Sequence, residues 1–161
     1  MMNTIEIYAA EPKDLQGIYR LIKELALYEK EPAEPSNSFE KFYEEGSGDS
    51  PYYKAFVAKE NSAVVGAAVY YYGYSTWKGK MIYLDDLIVK DSHRRRGIGR
   101  LLINALIKEA TANEVNQLRW HVLDWNTPAI DFYKTLNASL DASWITVKIE
   151  KELLSTLNAQ M

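Results

Sequence analysis

The sequence predicts an α/β (α+β) protein, a mixed sheet of six to seven strands with helices on both faces. Three observations carry this. Residues 82–89 are apolar and rich in branched side chains, the composition of a buried strand. A helical stripe of Ile98, Leu101, Leu102, Ala105 and Leu106 follows it after a glycine-punctuated turn. Strand-like runs precede this unit and crossover helices alternate with strands around it, which implies a mixed sheet covered on both sides. The length of 161 residues, with 47% hydrophobic and 25% charged side chains, suits a single domain spanning 1–161.

The elements follow in order. Residues 4–9 alternate Ile5, Ile7 and Ala9 inward as a first strand. Glu11 and Pro12 open a helix with the stripe Leu15, Ile18, Ile22, Leu25 and Ala26. A proline-broken loop over 31–35 leads to a short helix that Asn37 and Glu40 would box, carrying Phe39, Phe42 and Tyr43. Residues 53–59 and 63–74 form a hairpin, joined at 60–62. Four tyrosines, at 70, 71, 72 and 74, lie on its second strand. After the central strand and helix, 117–122 is a fifth strand. Thr127 caps a helix holding Ile130, Phe132, Tyr133 and Leu136, and Asn137 closes it in the left-handed conformation. Residues 138–141 and 144–149 form a closing hairpin, and 151–157 a terminal helix.

Composition excludes several classes. Cysteine is absent, so there is no disulfide framework and no thiolate metal site. The two histidines, His93 and His121, have no ligand spacing, and no metal is expected. The net charge of -3 argues against a general nucleic-acid partner. No apolar run approaches the ~20 residues of a membrane span, and the start lacks a signal peptide's pattern, so a cytoplasmic protein without a membrane partner is expected.

The turn between central strand and helix is the chemical centre. It reads Arg94-Arg95-Arg96-Gly97-Ile98-Gly99-Arg100. A helix start presents free backbone N–H groups and the positive end of the dipole, which together bind anions. The arginines raise the expected ligand charge to that of a pyrophosphate. A dinucleotide fingerprint needs a glycine where Leu102 stands, and a P-loop needs Gly-Lys-Ser/Thr, which the chain lacks.

The remaining pattern, Arg94-x-x-Gly97-x-Gly99 after a strand and before a helix, resembles the acetyl-coenzyme A loop of the GNAT superfamily of N-acetyltransferases. Further stretches fall in that superfamily's order: Tyr28-Glu29, Tyr83-Leu84-Asp85-Asp86, Leu123-Asp124-Trp125-Asn126 and the run 129–134. The run from Arg20 to Ala26 resembles the branch that acetylates diamines, polyamines (spermidine and spermine) and thialysine. The resemblance implies acetyl-CoA as cofactor, a small primary amine as substrate and a homodimer. It implies that Leu87, Ile88 and Val89 offer backbone groups to the pantetheine arm and that Arg94, Arg95, Arg96, Gly97, Ile98, Gly99 and Arg100 surround the pyrophosphate. It places Asn126 at the cofactor and Tyr133 at the thioester sulfur. Arg20, Glu29, Trp77, Asp85 and Asp86 match the amine site, with Asp85 the expected base. Polyamine-type relatives carry an acid where this chain has Ser75, so short diamines or lysine-like amino acids should compete with spermine. An acyl-CoA sensor without turnover and a protein lysine or N-terminal acetyltransferase are the competing readings.

Overall fold

The computed structural model describes residues 4–160. Five strands form one sheet: β1 (Glu6–Ala9), β2 (Lys54–Glu60), β3 (Ala63–Ser75), β4 (Gly79–Val89) and β5 (Gln117–Arg119). They lie in the order β1-β2-β3-β4-β5, antiparallel except for the parallel pair β4–β5. The helices are α1 (Leu15–Tyr28), α2 (Phe39–Gly46), α3 (Ile98–Ala112), α4 (Thr127–Lys134) and α5 (Lys151–Ala159). The chain divides into two compact units, 1–121 and 122–161, each taken by itself below.

In the first unit the apolar stripes decide the layers. Leu15, Ile18 and Leu21 of α1 bury against Val57, Ala67, Val69 and Ile88 on one face of the sheet, and Phe42 of α2 joins them. The opposite face takes α3, whose Ile98, Leu102, Ile103 and Leu106 are almost wholly buried. Gly66 of β3 allows the close approach: a Cβ there would stand 3.2 Å from Ile98 and 3.3 Å from Leu102. A buried Lys59–Asp14 ion pair at 2.6 Å ties β2 to the turn that enters α1. The β2–β3 hairpin closes through Asn61 and Ser62, both at positive φ (48° and 68°), the geometry that suits the right-handed strand twist.

Several expectations need correction. Among the described residues the sheet has five strands, not six to seven. Residues 138–149 alternate like a strand but form no ladder, and Ile145 and Val147 are 88% and 86% exposed. Alternation marks a sequence fit for a pleated surface, whereas a strand exists only where its N–H and C=O groups find partners. The fifth strand stops at Arg119, because its pairing with β4 ends at Tyr83–Arg119. Ser38, not Asn37, caps α2, accepting from the Lys41 N–H at 3.2 Å. Asn126, not Thr127, caps α4, accepting from the Ala129 N–H. Asn137 does adopt the left-handed conformation after α4, at φ 56°.

Candidate active site

The sequence Leu84-Asp85-Asp86-Leu87 should send neighbouring side chains to opposite faces. The sheet breaks that alternation. Val69 pairs with Asp86 while the next residue, Tyr70, pairs with Leu84, so Asp85 is the extra residue of a β-bulge. Leu84 therefore packs toward α3, while Asp85 and Asp86 both turn to the α1 side. There they line one cavity of about 250 Å³ between α1, α2 and the sheet. Its wall is aromatic, with Tyr19, Phe42, Tyr53 and Tyr71, and a third carboxylate, Glu45, stands in it as well.

The electrostatics separate the two aspartates. Burial, then the charge of Asp85, then that of Glu29, push the Asp86 carboxyl up to about 7. Asp85 lies nearer solvent, and partial burial alone raises it. Glu29, at the end of α1, is raised by burial. It does not line the cavity, but its charge acts on Asp86. Tyr71 stacks on Tyr83 at 5.2 Å between centroids, and the Tyr83 hydroxyl is hydrogen-bonded to His121 Nδ1. Burial and the charge of Asp85 both raise the Tyr71 phenol.

A second feature adjoins the acidic pair on β4. That strand pairs with β5 only over Met81–Tyr83. From Leu84 to Val89 no strand among the described residues covers its β5-side edge, so Leu87, Ile88 and Val89 offer backbone groups to an extended ligand. The chain then enters the basic turn. Gly97 takes φ 78°, and no side chain caps α3, so the first N–H groups of that helix point outward. Arg95 is exposed at φ 64°. Arg96 is held by Glu60 at 2.6 Å, and Glu60 also receives His93 at 3.0 Å. Arg94 serves the loop itself, with its Nε on the Val89 carbonyl at 3.3 Å, Asp91 at 3.2 Å and the Tyr28 ring at 4.6 Å. An uncapped helix start, a left-handed glycine, flanking arginines and an open strand edge fit a pyrophosphate joined to an amide-containing arm.

The remaining expected residues fall elsewhere. Arg20 is exposed on α1 and does not line the cavity. Trp77 is 82% exposed in the β3–β4 turn. Ser75, at the end of β3, accepts from the N–H groups of Trp77 (3.3 Å) and Lys78 (3.2 Å), so its hydroxyl belongs to that turn. In the second unit Asn126 and Tyr133 are buried, and Tyr133 packs against Phe132 at 5.5 Å. Sequence reasoning missed Glu45, Tyr19 and Tyr53 as cavity residues and Glu60 as the partner of Arg96. Glu45 ends a run of charges on a short helix and reads like a solvated face. Only the pairing of distant segments exposes the others.

Comparison with known proteins identifies the family. Residues 15–138 match the Acetyltransferase (GNAT) family. The chain is 42% identical over 145 residues to a thialysine N-epsilon-acetyltransferase of Bos taurus, covering 85% of each chain. It is 30% identical to a human spermidine/spermine N(1)-acetyltransferase-like protein 1, over 95% of this chain and 24% of that one. Among solved structures, an integron cassette protein from the mobile metagenome of V. cholerae superposes with TM-score 0.78 at 24% identity, covering 96% of this chain and 97% of that one. Members of the matched family generally use acetyl-CoA. With a family match over most of its length and a relative 42% identical over 85% of each chain, the chain belongs to the GNAT acetyltransferase family and is an N-acetyltransferase acting on amines.

Proposed function

We propose that the enzyme transfers the acetyl group of acetyl-CoA to the primary amine of a small diamine, polyamine or lysine-like amino acid, and works as a homodimer. The observation that carries this reading is the β4 bulge, which puts two carboxylates in one aromatic cavity on the strand whose open edge suits the cofactor arm. The cofactor, when bound, supplies an activated acetyl thioester. Arg95, Arg96, Arg100, Gly97, Gly99 and Ile98 would hold its pyrophosphate, Arg94 keeps the loop in shape, and the backbone of Leu87, Ile88 and Val89 would bind its arm. The resemblance assigns Asn126 a contact with the cofactor as well.

The amine arrives as an ammonium with a pKa of ~10.4, so roughly one molecule in 2,500 is neutral at pH 7. Asp85 and Glu29 attract the cation. Asp86 takes its proton, directly or through a water. A carboxyl held up to about 7 suits this better than one at the usual carboxylate value, because a base works best with a pKa near the operating pH. In this reading Asp86, rather than Asp85, is the base. The freed nitrogen would form the N–C bond as the C–S bond breaks, its second proton would pass to solvent, and Tyr133 would donate a hydrogen bond to the sulfur that takes the electron pair. A phenol near 10 is a weaker acid than a thiol near 8.5, so stabilisation of the thiolate, not full protonation, is its task. The support for Tyr133 is its place on the helix that Asn126 caps, as in the resemblance.

The experiment is release of free thiol from acetyl-CoA across a set of amines and amino acids. Release with short diamines or thialysine is expected. Cofactor binding with no release for any amine would overturn the reading.

A further inference from the structure

The amine cavity has two acidic ends, and the chemistry proposed above uses one of them. Asp85 and Asp86 stand at the β4 end. At the other end is Glu45, in the last turn of α2, with a side chain 35% exposed. The sheet sets the separation of the strands they adjoin. Ala55 of β2 pairs with Val69 of β3, and Val69 pairs with Asp86 of β4. From β2 to β4 is two strand spacings, roughly 10 Å. Glu45 belongs to the β2 side, where its charge adds to burial in raising the phenol of Tyr53, which immediately precedes that strand. Between the two ends the wall presents the rings of Tyr19, Phe42 and Tyr71, and no Lys or Arg lines the cavity. Such a wall suits a chain of methylenes with a cation at each end.

Glu45 is also held in place. The Tyr52 N–H donates to the Glu45 carbonyl at 2.8 Å. The Tyr53 hydroxyl donates to the Phe42 carbonyl at 2.7 Å, and the two rings stack at 4.8 Å. Gly46 permits this, since a Cβ there would collide with the Tyr53 ring. The carboxylate's partner is Lys41 at 3.6 Å, an exposed i,i+4 pair of the kind that contributes little. It leaves room for a stronger partner.

Resting on the amine-acetylation reading, we propose that Glu45 is a specificity-determining residue that receives the second ammonium of the substrate while the reacting amine sits at Asp85 and Asp86. The substrate class is then a dication whose two nitrogens are joined by a short aliphatic chain. A monoamine of the same length fills the aromatic channel but leaves Glu45 to Lys41.

The test compares kcat/KM for cadaverine with that for pentylamine, which differs only in lacking the second amine. The wild-type enzyme should prefer cadaverine by tenfold or more. In Glu45→Gln that preference should fall about tenfold, within the range for a charged hydrogen-bonded pair, and the loss should appear in KM for cadaverine. Glu45→Lys should reverse the selection, disfavouring cadaverine and raising the relative use of ε-aminocaproate, whose far end is a carboxylate. A preference for cadaverine unchanged in both variants overturns the role of Glu45 alone. So does an equal fall for both amines. No thiol release with any amine overturns the underlying reading and this one with it.

Discussion

Asp86 shows how one residue can serve chemistry at the expense of stability. Its carboxyl rises from 3.8 to about 7 because the fold buries it and sets Asp85 and Glu29 nearby. A carboxylate raised on folding binds its proton more tightly in the folded state. The folded state therefore loses stability as pH climbs through that window, and the penalty is complete above about 7. Three units correspond to about 4 kcal/mol at most, less after solvent screening. Asp86→Asn should raise the melting temperature at pH 8 and leave it nearly unchanged at pH 4. The same variant should lose ~10² to 10⁴ in turnover and lose the acid limb near pH 7 from its kcat/KM profile. A variant with the wild-type profile would return the base to Asp85. Tyr133 makes a separate prediction. Tyr133→Phe should keep cofactor affinity and lose turnover by ~10² to 10³, the range for one positioned donor. Near-normal turnover would make Tyr133 a core residue. At this scale the sequence already displayed the acid pair, Glu29 and Tyr133. It could not show that Asp85 and Asp86 face one cavity, because that depends on a bulge defined by the partner strand.

At the scale of elements, the proposed cofactor loop is a turn and a helix start, whose glycine and arginine spacing is local and so can be read in the sequence. What the spacing hid is that Glu60, from the β2–β3 hairpin, holds Arg96 and His93. Arg95→Ala combined with Arg96→Ala should weaken acetyl-CoA binding, more strongly at low salt, where phosphate contacts are least screened. Unchanged affinity at low ionic strength would remove the loop from the cofactor. The short helix α2 depends on packing in the same non-local way. Its caps and stripe predicted a helix, but its orientation comes from Tyr53, whose ring takes the space beside Gly46. Gly46→Ala forces that ring or the helix end to move. The expected cost is ~1 to 3 kcal/mol, as for other overpacked sites, together with a raised KM for the amine. Chemical denaturation and steady-state kinetics on the one variant measure both. Wild-type values would mean that Tyr53 does not position the helix.

For the whole molecule, the fold class could be read from periodicity because one face of each element must be buried, and burial leaves its pattern in consecutive residues. The alternation of strands, the crossover helix α3 and the parallel β4–β5 pair follow from it. The C-terminal segment shows where that logic stops. Residues 144–149 carry the alternation of a strand, yet they form no ladder, and Ile145, Val147 and Trp144 (65%) are exposed. Trp77 on the β3–β4 turn is equally open. Apolar side chains in strand order, left without a ladder, are costly in water and lower their free energy when a surface covers them. A second copy of the chain is the occupant that the proposed homodimer supplies. Light scattering should then give about twice the 18.5 kDa of one chain at working concentration. Replacing Ile145 and Val147 together by Lys should shift the population toward the monomer, since two unpaired like charges resist burial. A wild-type mass of 18.5 kDa across the accessible concentration range would remove the homodimer and leave these side chains without a partner of their own kind.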